Sequence, residues 1–190
     1  MNLLPAERQN IKSGELQCRP DKRPPVLSAM AARLSRTITE AREAGAKLVI
    51  IDTAAHAEGI LTAAIEAADL VLIPCRPTVI DLQHLTATAS LVAARRKLAA
   101  VVLNAVPPRT AELEQARQLV EQMSLPLAPH PISSLVAYAR AITAGQGVTE
   151  YEPQGKAALE ILALWGWIAE HFELSYGLTD EHSDSRIAAR

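Results

Sequence analysis

The chain has 190 residues, a formal net charge of −2 and a pI near 6.2. These values fit a single domain and exclude a protein that binds nucleic acid through a globally basic surface. Hydrophobic residues make up 49% of the sequence and aromatic residues 3%, a balance that favours helices packed on a sheet over an aromatic-rich β-sandwich.

The sequence carries no sign of a membrane or secreted protein. It has no run of about 18 apolar residues that could cross a bilayer. Its first residues do not match a signal peptide, because Pro5 interrupts a short apolar stretch. Two cysteines, Cys18 and Cys75, are too few for a disulfide framework or a metal set. We therefore expect a soluble cytoplasmic protein with no membrane partner, in which Cys75 is a buried reduced thiol.

The first part of the sequence divides into a polar leader and the beginning of a regular domain. Residues 1–23 are polar and rich in proline, which predicts a poorly ordered leader before an α/β domain at 24–172. Apolar residues that recur every four positions predict a helix over 28–44, with Ser28 as its N-cap and Gly45 as its stop.

Continuous apolar runs then alternate with helical segments. The strand runs are rich in β-branched residues and short, which is typical of strands buried on both faces. The predicted strands are 48–51, 70–74 and 99–104, and a proline-flanked edge segment lies at 125–129. The predicted helices are 58–68, 81–97 with Asp81 as its cap, 110–123, 133–143 and 154–172, and a flexible tail follows at 173–190.

Alternating strands and helices of these lengths predict a parallel sheet flanked by helices. The last helix carries Ile161, Leu162, Trp165 and Ile168, which we expect to form its buried face. In open α/β sheets, ligands bind beyond the carboxyl ends of the strands. Polar residues follow the predicted strands at those ends, so one shared site is expected there.

Three residues at the strand ends are candidates for that site. Asp52 could hold Mg²⁺ through water beside nucleotide phosphates, or be an ordinary turn or cap acid. Asn104 offers an acceptor and two donors that suit an adenine edge, or it could simply form a turn before two prolines. Arg76, between two prolines, could face an anion or be an ordinary surface arginine.

Two further groups of residues have weaker claims to chemistry. A metal site from His56, Glu58 and His84 would need a coincidence of geometry, because their spacing matches no metal motif. The basic run 95–97, Arg-Arg-Lys, could contact DNA phosphates or be a solvated helix C-terminus that suits the helix dipole.

Taken together, these segments resemble the ParA family of partition ATPases, within the wider ParA/MinD group of deviant P-loop proteins. The segments that carry the resemblance are LVIIDT at 48–53, ADLVLIPCRP at 68–77, DL at 81–82, VVLNAVPPR at 101–109 and EYEPQGKA at 150–157. Each motif is loose by itself, but their order along the chain is that of the family.

The resemblance implies a P-loop NTPase or Rossmann-like three-layer fold and an ATP-driven dimer. Such proteins bind nonspecific DNA when loaded with ATP and are reset by a centromere-binding adaptor, and they thereby move plasmids or chromosomes to daughter cells. By resemblance, Asp52 lies near Mg²⁺ and the γ-phosphate as the catalytic-side acid. Asn104 and the loop at Pro131 border the adenine. ATP and Mg²⁺ are the implied cofactors.

The sequence departs from this family at its beginning. The family begins with a strand, a lysine-rich glycine loop and a second strand, and none of these has a counterpart here. In particular, no Gly-Lys-Ser or Gly-Lys-Thr occurs anywhere in these 190 residues. That loop supplies most of the grip on phosphate. We therefore expect an N-terminally truncated, incomplete P-loop fold.

The missing strand lies, in related folds, between the strand that ends at Asp52 and the strand that ends at Pro74. Those two strands could pair directly, leave a gap, or be bridged by the leader or by a partner. Direct pairing or a gap is expected, because Pro5 argues against a strand in the leader.

Three hypotheses about function follow. The first is a degenerate ParA-like partition protein whose nucleotide binding and hydrolysis are lost or weak. The second is a non-catalytic module that pairs with an intact ParA-type ATPase or a DNA-binding adaptor. The third is a misplaced or interrupted gene start, which a glycine-lysine loop encoded upstream of Met1 would reveal.

Overall fold

Parallel strands and helices alternate along the chain in the computed structural model, which describes residues 2–5, 26–53, 58–109 and 111–172. The strands are β1 (Asn2–Pro5), β2 (Val49–Asp52), β3 (Leu70–Cys75) and β4 (Leu98–Leu103). The helices are α1 (Leu34–Glu43, after a 3₁₀ turn at Ala31–Arg33), α2 (Glu58–Ala67), α3 (Val79–Ala94), α4 (Glu112–Gln122), α5 (Val136–Thr143), α6 (Val148–Tyr151) and α7 (Lys156–His171).

The strands form two parallel pairs. β1 pairs with β2, and β3 pairs with β4 in a register that sets Ile73 beside Val101 and Pro74 beside Val102. No ladder joins β2 to β3 among the described strands. The predicted parallel sheet flanked by helices is confirmed, and the sheet is divided where the family's central strand is expected.

A strand near the beginning of the chain was not expected. Residues Asn2–Pro5 run along β2, with Pro5 opposite Asp52, so the argument from Pro5 against a leader strand is wrong. The physical reason is that Pro5 is the last residue of β1, and a proline at a strand end disrupts few ladder hydrogen bonds. Direct pairing of β2 with β3 is not found either. The rest of the predicted leader, and the predicted tail at 173–190, lie outside the described residues, so the predicted domain boundaries remain predictions.

Helix α2 connects the two strand pairs through adjacent buried side chains. Ile65 belongs to the main apolar cluster, which contains Val101 of β4 and residues of α3 and α4. Its neighbour Ala64 packs in a second cluster with Leu34 of α1 and Ile51 of β2. Because one helix serves both clusters, it holds the pairs together although no backbone ladder does.

The strands differ in how well their two faces are covered. Along β4, Val101 packs under α2, α3 and α4, while Val102 packs on the opposite face against α5 and α7. In contrast, Ile50 of β2 is 36% exposed and Leu72 of β3 is 41% exposed. The expectation that all of these strands are buried on both faces is therefore correct for β4 and wrong for β2 and β3. In the described part of the chain, the apolar cluster of α5 and α7 includes Val102 of β4 and no residue of β2 or β3.

The helix ends differ from the predictions at two places. Helix α1 begins at Leu34 after the 3₁₀ turn, with no side-chain cap, so Ser28 is not its N-cap. Helix α3 begins at Val79 and is capped by Thr78, whose hydroxyl accepts a hydrogen bond from the backbone N–H of Asp81 at 3.3 Å. The predicted stop at Gly45 is confirmed, because its φ of +86° is one that residues with a side chain rarely adopt.

The predicted buried face of the last helix, α7, is confirmed at Ile161 and Ile168 and wrong at Leu162. Ile168 is buried, and Ile161, Leu164 and Trp167 pack against the cluster around Val102. Leu162, which was expected on this face, is instead 51% exposed. None of the helices among the described residues is long and apolar enough to cross a bilayer.

Candidate functional site

The carboxyl ends of β3 and β4 meet the segment that contains Pro131. The backbone N–H of Asn104 donates to the carbonyl of Cys75 at 2.8 Å, and the N–H of Ile132 donates to the carbonyl of Leu103 at 2.8 Å. Parallel bridges continue this contact on both sides, at Val101 with Leu127 and at Val106 with Ser133. The structure therefore brings the predicted adenine-side residues, Asn104 and Pro131, to one edge of the sheet.

Asp52 lies at the end of the other strand pair. Its side chain is exposed, and its backbone partner in the ladder is Pro5. The loop that follows, 54–57, which contains His56, and the side chain of Glu58 lie outside the described residues. No ladder among the described strands connects Asp52 to the edge that carries Asn104. Backbone pairing therefore brings Asn104 and Pro131 together and leaves Asp52 apart.

Glu160 of α7 fastens the Pro131 segment to the last helix. Its carboxylate accepts hydrogen bonds from the backbone N–H of Ser133 at 2.9 Å and from the Ser133 hydroxyl at 2.6 Å. The Tyr138 hydroxyl donates to it at 3.3 Å, and Lys156 lies 3.6 Å away. The pKa of Tyr138 is raised to about 12 by burial and by the adjacent Glu160 charge.

Sequence reasoning missed Glu160, although a signal was present. The acid lies three residues after Ala157 and four residues before Leu164, both of which face inward. A charged residue on the apolar face of a helix requires polar partners nearby, because burial without them is costly. That pattern predicts an anchoring role.

Arg76 is committed to an ion pair in the turn after β3. Its guanidinium donates to both carboxylate oxygens of Asp81, at 3.0 and 3.3 Å, and the Thr78 hydroxyl also donates to Asp81. The Thr78 hydrogen bond, followed by the Arg76 interactions, holds the pKa of the half-buried Asp81 below its ordinary value. Of the two alternatives for Arg76, an ordinary surface arginine, here paired with Asp81, is therefore favoured over an anion site.

The buried thiol expected at Cys75 is confirmed. Cys75 is a free cysteine in the main core cluster. Burial is the main cause that raises the pKa of its thiol to about 11, and the charge of Asp81 adds to this effect. A thiol of this kind is protonated at neutral pH, so it is a poor nucleophile and a poor metal ligand.

Most of the basic side chains at the end of α3 contact other residues of the same chain. The Arg95 guanidinium donates to the Thr62 hydroxyl at 3.3 Å and lies 3.4 Å from Glu66. The Lys97 ammonium donates to the carbonyl of Ala68 at 2.9 Å. These contacts join the ends of α2 and α3, which leaves Arg96 as the exposed member of the run.

The described residues contain no complete metal site or phosphate loop. They contain no group of three or more acidic, histidine or cysteine side chains that could hold a metal ion, and no glycine-lysine loop is encoded in the sequence. An open depression of about 400 Å³ occurs near α5, away from the predicted site residues. Its lining residues are Ala139, Arg140, Thr143, Ala144 and Tyr151.

Comparison with known proteins agrees with this architecture. No family model matches the sequence. The MinC:MinD cell division complex of Aquifex aeolicus superimposes with a TM-score of 0.66 at 14% identity, over 89% of this chain and 83% of that one. The chain has the ParA/MinD fold. MinD of Pyrococcus horikoshii, solved with Mg-ADP, gives a TM-score of 0.63 at 16% identity over 75% of this chain and 62% of that one.

A protein named for carboxysome distribution and the McdA structures are among the further matches. A variant of Cyanothece McdA, solved as a complex with ATP, gives a TM-score of 0.63 at 15% identity, over 89% of this chain and 83% of that one. The "Maintenance of carboxysome distribution protein A" of Halothiobacillus neapolitanus is 28% identical over 97 residues. That match covers 48% of this chain and only 45% of the relative's length. The predicted resemblance to the ParA/MinD group is confirmed.

Proposed function

We propose that this chain is a ParA-like protein of plasmid or chromosome partition in which nucleotide binding and hydrolysis by this polypeptide are lost or weak. The observation that carries the proposal is the division of the site. Asn104 and Pro131 lie at one edge of the sheet, next to β4. Asp52 is exposed at the end of β2, and no ladder among the described strands joins the β1–β2 pair to the β3–β4 pair. A lone carboxylate with no phosphate loop beside it gives a triphosphate too few contacts.

The separate parts of the family site would then be vestigial. Asp52 would be the former Mg²⁺ and γ-phosphate side, and Asn104 with Pro131 would be the former adenine side. Relatives with this fold have been solved with Mg-ADP and with ATP, which supports ATP and Mg²⁺ as ancestral cofactors of the fold.

Isothermal titration of the chain with Mg-ATP tests this proposal. We expect a dissociation constant weaker than about 1 mM, with Asp52→Asn and Asn104→Ala giving the same titration as the parent. Micromolar binding that Asp52→Asn or Asn104→Ala abolishes would refute the loss, because it would demonstrate a working site in this polypeptide.

A second candidate function is a non-catalytic module that pairs with an intact ParA-type ATPase. The exposed side chains of Ile50 and Leu72, on strands that are not hydrogen-bonded to each other, favour it. A strand with one unpaired edge and an apolar face is a template for pairing with another chain. A homodimer formed by the same surfaces, a centromere-binding adaptor, and DNA contacted through Arg96 are further partners that the resemblance suggests.

Mixing the chain with an intact ParA-type ATPase tests the second candidate. If the exposed sheet face is the contact, the chain should change the ATPase turnover, and Leu72→Glu should remove that effect. Val79→Glu is the matched control, because Val79 is also an exposed apolar residue but lies at the beginning of α3 and not on a strand. Unchanged turnover with the parent chain would count against this candidate.

A further inference from the structure

Helix α7 has two apolar faces, and only one of them is used by the described part of the chain. Its inner face packs Ile161, Leu164 and Trp167 against the cluster around Val102 and Ile132. On the outer side, Leu159 is 56% exposed and Leu162, as described above, is also exposed. Two large exposed leucines within one turn of a helix are unfavourable in water unless another surface covers them.

The outer residues have the spacing of a helix-packing seam. Positions 156, 159, 163, 166 and 170, separated alternately by three and four residues, are all exposed. This is the spacing at which one helix presents a continuous stripe to another. The stripe consists of Lys156, Leu159, Ala163, Gly166 and Glu170, with Leu162 beside it; we call it the outer stripe. Its small central residues allow a second helix to approach closely.

Charge identifies the occupant. The outer stripe begins with a base, Lys156, and ends with an acid, Glu170, and both side chains are exposed. Lys156 also lies 3.6 Å from Glu160 of its own helix, but its side chain is 68% exposed and can face a partner as well. Two copies packed parallel would place like charges together at both ends. Two copies packed antiparallel would place Lys156 of each copy opposite Glu170 of the other. The stripe is therefore complementary to itself under a two-fold rotation, as an interface between identical chains requires.

We propose that a second copy of this chain covers the outer stripe, with the two α7 helices antiparallel and crossing at Ala163. Ala163 is midway between Lys156 and Glu170, so it lies on the two-fold axis. This contact is independent of nucleotide and uses a different surface from the sheet face formed by Ile50 and Leu72. A single helix from each copy buries little area, so the association is weak and depends on concentration.

Cysteine cross-linking at the axis tests the geometry. In a Cys18→Ser background, we expect Ala163→Cys to form a disulfide-linked dimer under mild oxidation. The two introduced thiols, one from each copy, face each other across the two-fold axis. Ser90→Cys, exposed on α3, is the matched control and should stay monomeric. Failure of Ala163→Cys to cross-link faster than Ser90→Cys would overturn the proposal, whether the stripe is open or is covered by another segment or protein.

A charge exchange tests the direction of packing. Lys156→Glu and Glu170→Lys each turn two attractive end contacts into repulsive ones, so each should weaken the dimer roughly tenfold in sedimentation equilibrium at low salt. The double variant Lys156→Glu/Glu170→Lys should restore the parent affinity. A double variant no tighter than either single variant would overturn the antiparallel arrangement, and circular dichroism would verify that all three remain folded.

Discussion

Strands β2 and β4 arise from similar apolar sequences but have different surroundings. β4 has its last five residues buried, with helices on both faces. β2 alternates between half-buried and exposed side chains, and its exposed positions are Ile50 and Asp52. The comparison shows that an apolar, β-branched run specifies a strand but not how many neighbours that strand has.

The two halves of the candidate site differ in the same way as the two strands. The edge beside β4 is held by backbone hydrogen bonds to the Pro131 segment and by Glu160 of α7. Asp52 of β2 has no comparable support among the described residues. A binding site requires rigid placement of all its groups, which is why we propose that nucleotide binding by this polypeptide is lost or weak.

The largest expected effect comes from comparing a leucine of β4, which is covered on both faces, with a leucine of β3, which is not. Leu103→Ala in β4, where the side chain is 1% exposed, should lower the free energy of unfolding by about 2–5 kcal/mol. Leu72→Ala, in the neighbouring strand β3, should cost less than about 1 kcal/mol because its side chain is already partly in water. Urea denaturation measures both, and equal losses would mean that the face around Leu72 is covered in solution.

The anchor at Glu160 is the next test. Glu160→Gln removes a charge that accepts two hydrogen bonds from Ser133, so we expect a loss of roughly 1–3 kcal/mol in the free energy of unfolding. Glu40→Gln is the control, because Glu40 makes only an exposed ion pair with Arg36. If both variants lose the same stability, the Pro131 segment is not held by α7.

The cap of α3 offers a smaller effect. Thr78→Ala should cost about 1 kcal/mol, whereas Ser28→Ala should cost nothing measurable, because Ser28 does not cap α1. Thr78→Ala should also raise the pKa of Asp81 towards its ordinary value in an NMR titration. The lowered pKa of Asp81 stabilises the folded chain fully at pH values above the ordinary pKa. This stabilisation is lost as the pH falls through the pKa that Asp81 has in the folded chain. Equal costs for the two substitutions would contradict the observed caps.

The tyrosine beside Glu160 gives an effect that changes only at high pH. The pKa of Tyr138 is about 12 in the folded chain and 10 ordinarily, so its contribution to stability is complete below pH 10 and is lost as pH rises through 12. An ultraviolet titration should show one late-ionising tyrosine that Tyr138→Phe removes and Glu160→Gln shifts to lower pH. A parent chain whose tyrosines all ionise near their ordinary pKa would contradict this contact.

The sequence by itself determined the alternation of strands and helices, the stop at Gly45, the buried thiol at Cys75 and the resemblance to the ParA/MinD group. These depend on local periodicity, on backbone conformations that few residues adopt, and on motif order, all of which can be read along the chain.

Only the tertiary structure decided which faces are covered, that Asn2–Pro5 runs along β2, that Glu160 holds the Pro131 segment, and that Leu162 points outward. The physical reason is that burial and polar pairing depend on neighbours distant in sequence. A periodic pattern identifies an apolar side chain, but it does not identify the surface that will cover it.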